Sequence, residues 1–197
     1  SVPDDYRVTD SNPKDYYDVE KAVEYARTYA LKRNPDYPAF ENNCTNFVSQ
    51  CLAAGGISMT GKETISNTKR LKVSKKSTDW YSVSKQDSKK IKHYGTSSAF
   101  INTDDFLKYF QEELGYTLST FDNTYEGKLK YYQTMASGDV VVLYDSDGSI
   151  AHIGLISGMG DMNAYYCANT NDRLDYGVFN INSTMYPRFG ILHMSKQ

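Results

Sequence analysis

A β-branched run in the last third of the chain constrains its fold most. Asp139 to Tyr144 (DVVVLY) sets three valines in succession. The turn residues Asp145-Ser146-Asp147-Gly148 follow, and then Ile150 to Ser157 (IAHIGLIS). Branched side chains favour a pleated, packed surface, and an Asp/Gly turn between two such runs predicts a hairpin. Ala164 to Ala168 and Gly190 to Met194 supply a third and a fourth strand. The first part of the chain has helical periodicity instead. Val19, Ala22, Val23, Ala26, Tyr29 and Ala30 share one face of a helix expected over Asp15 to Arg33, which Asn34-Pro35 ends. Phe47, Val48, Cys51 and Leu52 fall three, four, seven and eight residues after Cys44, so a second helix over Cys44 to Ala54 buries the face that carries Cys44. Asn43 is placed to cap it, and Gly55-Gly56 supply a left-handed stop. Thr103 to Leu114 forms a third helix, closed by Gly115. Helices first and an antiparallel sheet afterwards define an α+β domain.

The 197 residues suit a single domain over 1–197 with one insertion at about 57–100. That insertion carries ten Lys and Arg against three Asp and Glu, with weak periodicity. It reads as a long decorated loop that Trp80 and Tyr81 pin to the body. Three uses are open for it: a solvated loop, a site for an anionic polymer such as teichoic acid, or a contact for a partner protein. The whole chain carries a formal charge of -2, which gives no global argument for nucleic acid. No apolar run is long enough to span a bilayer. The opening Ser1-Val2-Pro3-Asp4-Asp5 is polar and reads as a mature or trimmed terminus, so a secreted or wall-associated protein without its leader is expected. Its 18 tyrosines suit core and strand filling first, and a grip on extended polar ligands second.

Three cysteines make no disulfide framework. Cys44 and Cys51 stand about 10 Å apart along one helix, too far to bridge. Cys44 lies in a helical first turn, where unpaired N–H groups stabilise a thiolate and supply half of an oxyanion hole. His152, held mid-strand on the expected face of Ile150, Gly154 and Ile156, is the candidate base, with Gly154 leaving space beside the ring. Asn169, at the end of the next strand, is placed to orient the imidazole, and Asp172 is its rival. Asn42 or Asn43 is a candidate second oxyanion donor. Cys51 and Cys167 read as packing, Asp139 as the cap of the entering strand, His93 as a solvated residue and His193 as a structural one. The histidines lack partners at metal spacing, so neither metal nor cofactor is expected.

Asn43-Cys44-Thr45-Asn46-Phe47-Val48-Ser49-Gln50-Cys51-Leu52, followed by Ala54-Gly55-Gly56, closely resembles the signature of the bacterial "putative amidase domain" family. Arg33-Asn34-Pro35-Asp36-Tyr37, Trp80-Tyr81, Gly138-Asp139-Val140-Val141 and Asn169-Thr170-Asn171-Asp172-Arg173 extend that resemblance in order. The family is grouped with NlpC-like and CHAP cell-wall hydrolases of the papain-like clan. The resemblance implies a Cys44-His152-polar triad, a papain-like arrangement and hydrolysis of an amide, with peptidoglycan peptide as the usual substrate class. Two departures stand out: Glu41-Asn42-Asn43 replaces Gly-Gly-Asp, and Asn169 stands where histidine is common. Two other readings accompany this one. The first is an exported toxin or protease acting on another amide and held by an immunity protein. The second is a catalytically silent module that binds the envelope.

Overall fold

In the computed structural model, residues 16–61 and 65–194 are described. Two helices come first, α1 (Val19–Tyr29) and α2 (Cys44–Ala54). Three short strands follow, β1 (Leu71–Ser74), β2 (Ser82–Gln86) and β3 (Lys92–Ser97). Next are α3 (Ser98–Ile101), α4 (Thr103–Lys108) with a π turn over Tyr109–Glu113, β4 (Thr117–Asp122) and α5 (Tyr125–Tyr132). The chain closes with β5 (Val140–Tyr144), β6 (Ile150–Gly160), β7 (Asn163–Ala168), β8 (Arg173–Gly177) and β9 (Arg188–His193). It is a mixed α+β fold.

The main sheet is antiparallel, in the order β4-β9-β5-β6-β7-β8. Each of its faces covers a separate core. Val140, Val142, Ile153, Leu155 and Leu192 pack against α1, α2 and the aromatic side chains of α3, α4 and the π turn. Val141, Leu143, Ile156, Tyr166, Phe189 and Ile191 form the other core, beside Tyr131 and Tyr132 of α5. Apolar cover on both faces explains why the β5 run is continuously hydrophobic and not alternating. Tight turns close the strands: Asp161 and Met162 between β6 and β7, and Thr170 and Asn171 between β7 and β8, all have positive φ, as paired central residues of a type I′ turn require.

Several boundaries differ from those expected. Helix α1 begins at Val19, where Asp18 accepts the Lys21 N–H and caps it, and Asp15 lies outside the described residues. Helix α2 has the bounds that its apolar spacing predicts, but Gly56, not Gly55, has the positive φ. The third helix breaks into α4 and a π turn, with the Leu114 N–H reaching the Tyr109 carbonyl. The insertion is not a loop: β1 lies parallel to β3 and β2 antiparallel to it, forming a three-stranded sheet. β1 and β2 are largely exposed and β3 buries only His93, Gly95, Thr96 and Ser97, so none of the three shows the apolar alternation that marks a half-buried strand. Trp80 anchors it: the ring is fully buried among Phe100, Tyr109 and Phe110, and its Nε1–H donates to Ser49 Oγ on α2 at 3.1 Å.

That bond yields a stability test. In Ser49→Ala the indole N–H is left buried without an acceptor, which costs about 1–3 kcal/mol. Urea denaturation should show this as a lower midpoint at unchanged slope.

Candidate active site

Helix α2 delivers Cys44 to the end of the sheet where β6 begins and β7 finishes. Asn43, one residue before the helix, does not cap it. Its Oδ1 accepts from the Phe40 N–H and from Asn46 Nδ2, both at 3.0 Å, while its Nδ2 donates to Asn169 Oδ1 at 3.0 Å. The first turn of α2 therefore has no side-chain cap among the described residues, and its N–H groups remain beside the thiol. Cys44 is a buried free cysteine whose Sγ donates to Asn42 Oδ1 at 3.2 Å. Neighbouring Thr45 is held by Thr103, with the hydroxyl oxygens 2.6 Å apart.

The turn between β7 and β8 fastens this approach. Thr170 Oγ1 accepts the Asn43 N–H at 2.7 Å and donates to the Glu41 carbonyl at 3.3 Å. It does so from φ +63, a region that β-branched residues avoid at a cost of order 1–3 kcal/mol. Asn169 Nδ2 donates to the carbonyls of Tyr29 and Ala30 at the end of α1, at 3.0 and 2.9 Å. Asp172 accepts the Thr170 N–H and pairs through both oxygens with Arg33. Asn169 and Asp172 thus bind the turn to α1 and to the residues after it, and neither bonds to His152. Asn43 Nδ2 is likewise committed, which leaves Asn42 Nδ2 as the side-chain donor of the expected pair without a partner among the described residues.

His152 sits opposite Leu143 of β5, on the face of Ile156 and of the second core. Ile153 and Leu155, between them, face α2. The register shifts by one residue between Leu143/His152 and Tyr144/Ile150, so Ile150 packs with the first core and not beside His152. Gly154 leaves no free space either, because a Cβ there would lie 2.7 Å from Tyr166 Cδ2 and 2.8 Å from the Cys167 carbonyl. His152 Nε2 is buried and has no hydrogen-bond partner. Burial, reinforced by the Arg173 charge, pushes the imidazole down to about 4, so the ring is neutral above that pH. The ring lines an open cleft of about 330 Å³ with Glu41, Asn42, Thr170, Asn171 and Tyr186. Asn42 is therefore the link between the two halves: it accepts from the Cys44 thiol and shares the cleft with His152. No hydrogen bond joins Cys44 directly to His152 among the described residues.

The model of the "Putative amidase domain" family matches residues 16–188. The chain belongs to this family. Two proteins of Bacillus subtilis (strain 168) are similar to parts of it. "Uncharacterized protein YhbB" is 58% identical over 45 residues, covering 23% of this chain and 14% of that protein. "Uncharacterized protein YjcM" is 27% identical over 161 residues, covering 81% and 32%. The chain thus spans about a third or less of the length of these relatives. No solved structure matches it. Membership of an amidase family points to an amide hydrolase.

Away from the cleft, the remaining cysteines and histidines of this amidase domain are structural. Cys51 is fully buried, which raises its pKa well above an ordinary thiol's, and burial pushes Cys167 up to about 11. Both are inert as nucleophiles at neutral pH. His93 is not solvated as expected: it is buried in β3, with its ring nitrogens 2.8 Å from the Lys69 carbonyl and 2.9 Å from Asp87 Oδ2. Asp139 accepts the N–H groups of Ala136 and Met194. His193 Nε2 lies 3.0 Å from Ser119 Oγ. Thr170 and Tyr186 are the site residues that sequence reading passed over. The Asn169-Thr170-Asn171-Asp172 turn offered a signal for Thr170, whereas Tyr186 lay in a segment without periodicity.

Two measurements follow from this geometry. Asn169→Ala removes one acceptor and two donated bonds at a buried junction, and thermal unfolding should show a loss of about 2–3 kcal/mol. His152 has a depressed folded-state pKa, so the unfolded chain binds its proton first as pH falls below about 6.5. Its effect on stability is absent above that pH and becomes a loss as pH falls toward about 4, reaching about 3 kcal/mol. Urea titrations from pH 7 to pH 4 should show a shallower decline in His152→Gln than in the unmodified protein.

Proposed function

We propose that the chain is a cysteine-dependent hydrolase of peptide amides, with peptidoglycan stem peptide or cross-bridge as substrate. One observation carries the reading. A free Cys44 thiol at the uncapped start of α2 donates to Asn42, and Asn42 lines the cleft that holds His152, neutral and with a bare Nε2. Substrate entering the cleft takes over the Asn42 contact, and the thiol turns to the imidazole. His152 accepts the Sγ proton, and the thiolate attacks the amide carbonyl. The oxyanion is met by the Cys44 N–H and by the Asn42 side-chain amide. The C–N bond breaks, the departing amine takes the proton from His152, and a thioester remains. Water then gives a proton to His152 and attacks the thioester, releasing the acid and restoring the thiol.

Asn169, Thr170 and Asp172 act in this reading as positioning residues that fix the 41–43 segment. Asn169 serves as the polar third member by holding the nucleophile's approach. The grouping of the putative amidase domain family with NlpC-like and CHAP hydrolases supports a papain-like relation and a place of action at the cell wall.

The test is digestion of purified peptidoglycan, with fragments identified by mass spectrometry. The unmodified protein should release peptides with a new amino and carboxyl terminus, naming the bond. Cys44→Ala should keep its circular dichroism and lose activity by at least about 10³-fold. Equal release by both proteins would sink the cysteine mechanism. Absence of fragments with either, while a substrate analogue still binds, would support the silent module instead.

A further inference from the structure

The sheet formed by β1, β2 and β3 gathers charge at one end. β2 and β3 form a hairpin that turns through residues 87–91, and β1 starts level with the start of β3. This topology brings Lys69 and Arg70 before β1, Lys85 at the end of β2, and Lys89 and Lys90 in the turn to the same tip. The opposite end, at Trp80, Tyr81 and Ser97, is buried in the body. All five cations at the tip are exposed. Among the described residues, only Lys85 of these five has a side-chain hydrogen-bond partner there, the neutral Asn67.

The nearby carboxylate, Asp87, is already committed: it faces His93 Nε2 and accepts the N–H groups of Lys89 and Ile91. Lys92 is spent on Asp36 at 2.6 Å, and Lys76 on Asp79 at 3.7 Å. Segment 57–100 has ten basic against three acidic residues, within a chain of 22 basic and 24 acidic ones. The charge is therefore segregated and not a property of the whole surface.

We propose that this tip binds a flexible phosphodiester polyanion of the poly(glycerol phosphate) type. β1 and β2 flank β3, so Lys85 on one side and Lys69 and Arg70 on the other stand two strand spacings, about 10 Å, apart, with the turn lysines at the same end, a spread that a flexible chain of phosphates can follow. Lysine dominates, giving adaptable point charges and not bidentate forks. Side chains at the tip include no aromatic platform for nucleobases. Tyr94, the aromatic residue of β3, turns to the body and donates to the Pro35 carbonyl at 2.7 Å. The same Pro35-Asp36 segment receives Lys92 and leads through Tyr37 and Pro38 toward Cys44, so a bound polymer would lie beside the path to the cleft.

The experiment is microscale thermophoresis of the full chain with labelled poly(glycerol phosphate) in about 50 and about 200 mM NaCl. Binding should weaken by at least about tenfold between the two salts, as counterion release requires. Substitution of Lys69, Arg70, Lys89 and Lys90 to Gln should weaken binding at least about tenfold and flatten the salt slope. Equal neutralisation at Lys21, Lys32, Lys108 and Lys130, which are exposed elsewhere, should change it less than about threefold. Circular dichroism checks that both variants fold. Equal loss in the two variants, or binding without salt dependence, would overturn the proposal. So would duplex DNA of matched charge binding as tightly as the polymer.

Discussion

The pair of bonds from the β7–β8 turn to Asn43 holds the site together. Asn169 takes the Asn43 side chain and Thr170 takes its backbone N–H, so one turn fixes both the direction and the height at which the chain enters α2. Because Asn169 also holds the last carbonyls of α1, three segments distant in sequence meet at one buried amide. A buried polar junction of this kind is costly when partly satisfied and specific when fully satisfied. Here the Asn169 side chain has all three of its contacts, and the strained φ of Thr170 is offset by the bonds its hydroxyl makes.

That junction also explains why an asparagine placed for capping does not cap. Capping by Asn43 would satisfy an N–H of the first turn. Instead its oxygen is taken by Phe40 and Asn46, and the N–H groups of α2 remain available beside Cys44. An uncapped helix start gives up stability, and its N–H groups and dipole favour a negative charge placed beside them. The same trade appears at His152, whose burial without a partner lowers its basicity but keeps it neutral and able to accept a proton.

Sequence periodicity made the main body legible where one stripe or run dominates. Helix α2 and strands β5, β6 and β7 follow from Cys44, Phe47, Val48, Cys51 and Leu52 and from the valine-rich hairpin. β1 to β3 were not legible, since β1 and β2 are largely exposed and the buried residues of β3, His93, Gly95, Thr96 and Ser97, set no apolar period. The strand β4 and the helix α5 were missed because their contributions to the second core, Phe121, Tyr131 and Tyr132, are too few to set a period. The candidate residues Cys44, His152, Asn42 and Asn43 could be named from motif and position. Their partners could not, because bonds across more than a hundred residues leave no local trace. The bulge at Ala151 was equally hidden, and a one-residue slip decides which face a strand residue occupies.

The face on which His152 stands shapes what the site requires of its substrate. Strand β6 sends Ile153 and Leu155 toward α2 and His152 the other way, so Cys44 and His152 belong to different faces of the sheet. Asn42 connects the two, bonded to the thiol and open to the cleft that His152 lines. At rest the Cys44 thiol donates to Asn42, and Asn42 shares its cleft with the neutral His152 ring. In the proposed reaction, displacing one hydrogen bond at Asn42 is the smallest change that frees the Cys44 proton, and a substrate amide carries the groups to make that exchange.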